Sequence, residues 1–145
     1  MSRQIIYMTG AILVFAILGR VISFPQGMDD WPIIELSDTS HVLVMERHPH
    51  ALFATLTNKN PTEEISVGAR FVLAKLDENG DWREFPFRED LIFESALTTL
   101  PYGYSARFTL SEDMLGANLT RGIYRIVVDV WQDTHMHAWA EFELD

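Results

Sequence analysis

The most restrictive feature of this sequence is the stretch Leu119–Trp131, which reads LTRGIYRIVVDVW. Period-two alternation rich in β-branched and aromatic residues is typical of a strand that covers a core with one face. Turn-forming residues bound it, with Gly122 before the strand and Gln132-Asp133 after it. We therefore predict a central strand that the rest of the chain covers. One face carries Tyr124, Ile126, Val128 and Val130, and the other carries Arg125, Val127, Asp129 and Trp131.

Turn residues divide the chain after residue 40 into further short strands. Asn79-Gly80 is a strong hairpin signal because both residues accept positive φ, and Ser111 can cap one helical turn that ends before Gly116. About seven to nine short strands predict an all-β fold, an antiparallel β-sandwich, with a closed barrel as the alternative. The other predicted strands cover residues 41–46, 51–57, 65–67, 69–76, 82–85, 91–93, 104–110 and 136–144.

A hydrophobic segment precedes these strands, at residues 5–24. A spanning helix needs about 20 apolar residues, and a signal peptide needs a basic start with an apolar centre of about 7–15. Arg3 supplies the basic start, and Arg20 lies near enough to the end to reach the headgroups. We predict that residues 1–24 form one N-terminal hydrophobic helix, a signal anchor or a signal peptide. Because no A-x-A pattern precedes Phe24, an uncleaved anchor is favoured.

This segment sets the predicted organisation and location. Residues 25–40 are a tether with a short edge strand at Pro32–Leu36, and residues 41–145 are the sandwich. The expected location is the cell membrane, with a single pass and the C-terminal domain outside, or secretion if the leader is cleaved. Without residues 1–23, nine Lys and Arg remain against 21 Asp and Glu. Such a surface repels phosphates, so nucleic acid is excluded as a partner.

Five short pieces of the sequence occur in a recognisable order, namely Leu56–Lys59, Ile65–Phe71, Asn79–Trp82 with Phe85-Pro86, Leu100–Gly103 and Leu119–Val127. This ordered set resembles the bacterial immunoglobulin-like domains of secreted and membrane-attached envelope proteins. The resemblance covers residues 41–144 and implies an immunoglobulin-like sandwich with no catalytic residues to carry over. Two departures are a longer turn at Pro101-Tyr102-Gly103 and Arg121 where the family often has Pro. A more distant similarity is to the intracellular proteinase inhibitors of bacilli, although an export segment argues against that compartment.

The histidines form two H-x-H pairs, His48 with His50 and His135 with His137. In a strand this spacing puts both imidazoles on one face, where they can bind zinc or copper. The predicted topology sets the two pairs at opposite poles, separated by a strand of roughly 26 Å. We therefore predict no metal and no cofactor, and keep the four histidines as candidates only. The sequence has no Cys, which excludes disulfides, thiolate catalysis and cysteine zinc sites.

The aromatic residues near two of the turns are candidates for binding a partner. They are Trp82, Phe85, Phe87, Trp131 and Trp139. The alternative is that the outer face is core of the second sheet or packs under the segment 86–99, because large aromatics are usually core. No G-x-S-x-G, Gly-rich phosphate loop or H-E-x-x-H occurs, so we expect no enzyme and no catalytic residues.

Three functions compete on this sequence. The first is a non-catalytic, extracytoplasmic binding module that is held at the membrane by its N-terminal helix and binds an unidentified protein or envelope component. The second is a protease-inhibitor-like sandwich that presents a loop within residues 86–103 to an enzyme. The third is a His-rich envelope protein that handles metal through the two histidine pairs.

Overall fold

Two antiparallel sheets build this protein, as described by a computed structural model that covers residues 5–8, 31–36, 39 and 41–145. For residues 5–8 the backbone alone is described. The nine strands within these residues are β1 (Ile5–Met8), β2 (Val42–His48), β3 (Ala51–Thr57), β4 (Ile65–Leu76), β5 (Trp82–Phe85), β6 (Leu97–Leu100), β7 (Ser105–Ser111), β8 (Gly122–Trp131) and β9 (His135–Leu144).

The larger sheet has the order β1-β9-β8-β4-β5, with β6 also paired to β4, and the smaller sheet has the order β2-β3-β7. Strand β8 lies between β9 and β4, which is the central position predicted for it. Because the strands form two separate sheets, the predicted antiparallel sandwich is confirmed and the closed barrel is wrong.

The core lies between the two sheets and follows the period-two alternation of their strands. On β8 the side chains of Tyr124, Ile126, Val128 and Val130 are fully buried, as the sequence pattern predicts. The smaller sheet contributes Leu52, Ala54 and Leu56 from alternate positions of β3. Each large apolar side chain buried in this way contributes roughly 1.5–3 kcal/mol to folding.

Tyr124 ties the entry of β8 to the loop before it. Its hydroxyl donates to the carbonyl of Thr120 at 2.6 Å and accepts the Thr120 amide at 3.1 Å. The ring stacks on Phe142 of β9 with centroids 5.3 Å apart. A tyrosine that bonds back to the chain just before its own strand is the tyrosine corner of Greek-key sandwiches.

Lys75 is a fully buried cation next to this corner. Its ammonium donates to the Thr120 hydroxyl at 2.6 Å and lies 5.4 Å from the centre of the Tyr124 ring. Burial lowers the pKa of Lys75 to about 8, because the charged form loses its hydration. Gly122 makes room for the side chain, since a Cβ there would lie 2.7 Å from Lys75 Cε, and its φ of 151° also favours glycine.

Asp77 organises the hairpin between β4 and β5. One carboxylate oxygen accepts the amides of Asn79 and Asp81 at 2.9 and 2.8 Å, and the other accepts Arg83 Nε at 2.6 Å. Burial alone would raise the pKa of Asp77, but these bonds outweigh it and lower the pKa. The predicted hairpin is present with a different turn, because Gly80 has a φ of 85° whereas Asn79 has no positive φ.

Asn58 is a buried side chain that joins the loop after β3 to the turn before β7 at one pole of the sandwich. Its amide nitrogen donates to the carbonyls of Glu63 and Leu100 at 2.9 and 2.8 Å. Its side-chain oxygen accepts the amide of Asn60 at 2.8 Å. The backbone of Asn58 also receives the Gly103 amide at 2.9 Å, so the turn before β7 is fixed to the end of β3.

Two strand predictions are wrong in detail. Residues 91–93 form no strand, because Phe93 packs against Phe71 with centroids 5.5 Å apart and Ile92 is 90% exposed. The pairing on this side of β4 is made instead by β6, which the sequence pattern did not reveal. The two strands predicted at 65–67 and 69–76 are one strand, β4, whose register shifts between Val67 and Phe71.

Two further predictions concern short segments, the edge strand in the tether and the helical turn after β7. Ile33 makes an antiparallel bridge with Arg83, and the Ile34 amide donates to the Trp82 carbonyl at 2.7 Å. The segment predicted as an edge strand therefore touches β5 at this bridge. The predicted helical turn is a 3-10 turn, Glu112–Met114, which directly follows Ser111.

The N-terminal segment is described only in part. Residues 5–8 form β1 and pair with the end of β9, from Ile5 opposite Leu144 to Met8 opposite Glu141. The N-terminal helix predicted over residues 1–24 is therefore not confirmed for these four residues, and residues 1–4 and 9–24 lie outside the described residues. No helix within the described ranges combines the length and apolar character needed to cross a membrane.

Candidate functional site

The outer face of β8 and β9 carries a row of four cross-strand pairs, which we call the outer ladder. The register of the hairpin places these side chains opposite one another, and alternation turns them away from the core. The pairs are Trp131–His135, Asp129–His137, Val127–Trp139 and Arg125–Glu141.

Arg125 occupies one end of the outer ladder between two tryptophan rings. Its guanidinium carbon lies 4.0 Å from the centre of the Trp82 ring and 5.0 Å from that of Trp139. Its Nε also donates to Glu141 at 2.5 Å, and only 9% of the side chain is exposed. A desolvated cation–π contact of this kind is worth about 2 kcal/mol. Trp82 and Trp139 thus hold the arginine in place while they remain half-buried.

Trp131 lies at the other end of the outer ladder and is 43% exposed. Its ring stacks on the imidazole of His135, with centroids 4.1 Å apart and planes at 17°. Its backbone is fixed by pairing with His135 on β9 and with Ser66 on β4. Trp131 is therefore a large aromatic side chain on a rigid strand with nearly half of its surface in solvent.

Asp129, His135 and His137 meet in the middle of the outer ladder. One oxygen of Asp129 lies 2.8 Å from His135 Nε2 and 3.3 Å from His137 Nε2. The two imidazole centroids are 4.8 Å apart. Burial lowers the pKa of His137, although the charge of Asp129 raises it, and His135 lowers it further.

The other histidine pair lies at the opposite pole. His41, just before β2, contacts Gln132 just after β8 at 3.4 Å, whereas His48 is the last residue of β2. A seven-residue strand spans about 23 Å, so the two pairs cannot share an ion. His48 and His50 line an open cleft of about 500 Å³ beside the turn after β7. In the described part of the chain, the one group of three metal-ligating side chains within reach of each other is Asp129, His135 and His137.

A family model described as bacterial Ig-like domain matches residues 39–143. The chain belongs to the bacterial Ig-like domain family. This confirms the resemblance drawn from the sequence pieces. No curated protein and no solved structure matches the chain. Membership indicates a binding or interaction module, and domains of this family are typically non-catalytic.

The structure separates the five aromatic candidates of this Ig-like domain by their burial. Trp82, Trp131 and Trp139 lie on the outer face, whereas Phe85 is fully buried in the core. Phe87 packs edge-on against Phe71 at 5.4 Å and belongs to the rim of the core. Phe85 therefore cannot present its ring to a partner, whereas Phe87 is partly buried and its role as a partner contact stays a prediction. The alternation of β5 would have assigned Phe85 correctly, because Phe85 pairs with the inward Leu73.

Asp129 is the residue of this site that sequence reasoning missed. The alternation of β8 places Asp129 on the outer face, but it does not show that Asp129 lies beside the histidines of the next strand. The signal lay in the turn between the strands, because three residues between Trp131 and His135 set Asp129 opposite His137.

Proposed function

We propose that this Ig-like domain is a non-catalytic binding module of the cell envelope that contacts a protein partner through the Trp131 end of the outer ladder. The observation that carries the proposal is the exposure of Trp131 on a fixed strand. Tryptophan dominates hot spots because a large rigid ring buries much area at a small cost in side-chain entropy.

The charge around Trp131 supports a partner with a basic surface. Exposed Asp133 lies two residues away, and exposed Glu63 is held at the same pole by a hydrogen bond from Gln132. The whole chain has a formal net charge of -10. Complementary charge at the rim of an interface steers association and selects partners, while the aromatic centre supplies affinity. We therefore propose a protein whose contact surface combines Lys or Arg with an apolar pocket.

Photo-crosslinking in intact cells tests this surface. A photoreactive amino acid at position 131 of the full-length chain is expected to capture a protein, because Trp131 lies at the centre of the proposed contact. The matched control is position 92, since Ile92 is 90% exposed on the segment 86–99. Trp131→Ala should weaken binding of the captured protein about 30-fold and change the free energy of unfolding by less than about 1 kcal/mol.

The two positions also separate the competing functions. Capture at position 131 and not at position 92 supports the outer ladder as the binding surface. Capture at position 92 alone would contradict it and favour the loop-presenting inhibitor, whose segment is anchored by Phe87 and Phe93 while Ile92 projects. A large loss of stability in Trp131→Ala would also count against a binding role for that ring.

Attachment to the membrane is the second part of the proposal, and its support is the apolar run at residues 5–24 behind Arg3. Residues 5–8 cannot be strand β1 and part of a spanning helix at once, so the two arrangements exclude each other. Cell fractionation is expected to leave the full-length protein in the membrane pellet after a carbonate wash. A soluble mature chain that begins near Phe24 would contradict the anchor and indicate a cleaved signal peptide.

A further inference from the structure

We propose that Asp129, His135 and His137 form a binding site for one divalent transition-metal ion of the zinc class. The inference rests on the geometry of the outer ladder and is independent of the protein partner proposed above.

The three ligand atoms already lie near the positions that an ion requires. Zinc binds imidazole nitrogen at about 2.0–2.1 Å and carboxylate oxygen at about 2.0–2.2 Å, so tetrahedral ligands are roughly 3.3 Å apart. Here the Asp129 oxygen is 2.8 and 3.3 Å from the two Nε2 atoms, and the three residues offer one ligand atom each within 4.8 Å of one another. Small side-chain rotations would therefore close the site around an ion.

The ligand types select the class of metal. Two imidazoles and one carboxylate suit Zn²⁺, Cu²⁺, Ni²⁺ or Co²⁺, whereas Ca²⁺ and Mg²⁺ prefer sites made of oxygen alone. Three protein ligands leave a fourth position for water, as in open zinc sites. The side chains of Asp129 and His135 are 42% and 39% exposed, so solvent reaches that position.

The scaffold fixes these ligands better than a loop would. Asp129 and His137 are directly opposed in the β8–β9 register, and His135 is two residues from His137 on the same face. The turn between the strands is closed by a hydrogen bond from the Gln132 amide to the Thr134 carbonyl at 3.2 Å. Stacking on Trp131 holds the His135 ring. Sites on paired strands lose little freedom when they bind, which favours binding.

Calorimetric titration of the full-length chain with ZnCl₂ tests the site, using protein purified without a polyhistidine tag. One ion per chain is expected to bind. Asp129→Asn keeps the size of the side chain and should weaken zinc binding at least about 10-fold. The double variant His135→Ala/His137→Ala should abolish it. Circular dichroism of each variant checks that the fold is intact.

The second histidine pair supplies the matched control. His48→Ala/His50→Ala likewise removes two histidines, from the opposite pole, and should leave zinc binding unchanged. Absence of binding in the wild type, equal binding in Asp129→Asn, or loss of binding in His48→Ala/His50→Ala would each overturn the proposal. Cu²⁺ provides a spectroscopic check, because nitrogen hyperfine splitting from two imidazoles should appear in the electron paramagnetic resonance spectrum and disappear in His135→Ala/His137→Ala.

Discussion

Asn58→Ala is expected to lower the free energy of unfolding by about 3 kcal/mol, because three hydrogen-bonding groups around this buried side chain lose their partner at once, one of them buried and two partly buried. These groups are the carbonyls of Glu63 and Leu100 and the amide of Asn60. Each buried polar group left unsatisfied costs about 1–3 kcal/mol. In urea denaturation, such a loss should move the midpoint down by roughly 2 M for a domain of this size.

The control for this prediction is Asn60→Ala in the same loop. Near the surface, the side-chain oxygen of Asn60 accepts hydrogen bonds from the Thr62 amide at 3.0 Å and from the Thr62 hydroxyl at 2.9 Å. Because water replaces these bonds, the loss should be below about 1 kcal/mol. Equal midpoints for the two variants would show that Asn58 does not join the loops.

Lys75→Met is expected to change how the stability of the domain depends on pH. Between pH 8 and about 10.5 the unfolded chain keeps the lysine proton that the folded chain has released, so the wild type gains stability as pH rises. The variant lacks this gain and avoids the cost of burying an ammonium at neutral pH. The difference in free energy of unfolding between Lys75→Met and the wild type should therefore shift in favour of the wild type by about 2.5 kcal/mol between pH 7 and pH 10.

Denaturant unfolding at pH 7, 8, 9 and 10 measures this difference. Lys59→Met is the matched control, because it makes the same replacement at an exposed position. If the stability of the wild type and of Lys75→Met changed in parallel from pH 7 to pH 10, the buried ammonium would have an ordinary pKa, contrary to the effect of burial described above.

Local alternation made the face assignments predictable. The inward residues of β8 are all buried and the outward ones form the outer ladder, since successive side chains on a strand point to opposite faces. Strand β6 escaped prediction because Leu97–Leu100 is stabilised by pairing with Ile65–Gly68, which lies about thirty residues earlier. Such pairing leaves no signal in the short segment itself.

The candidate site was predictable in its parts and not in its assembly. The sequence identified His135, His137 and Trp131, and it placed Asp129 on the outer face of β8. It could not decide between the two H-x-H pairs without the register across the hairpin, which brings Asp129 within reach of both His135 and His137. The burial of Lys75 was also not predictable, because it depends on the space beside Gly122 and on the hydrogen bond to Thr120, both of which lie far away in the sequence.

The short connection between β8 and β9 has a consequence for the order of folding. Only residues 132–134 separate these strands, whereas β4 and β8 are joined through a much longer stretch of chain. Closing a short loop loses less chain entropy, and local pairings form faster than distant ones. We expect the β8–β9 hairpin to be an early folding nucleus onto which β4 later docks. The metal-ligating side chains would then be gathered on a nascent hairpin before the two sheets meet.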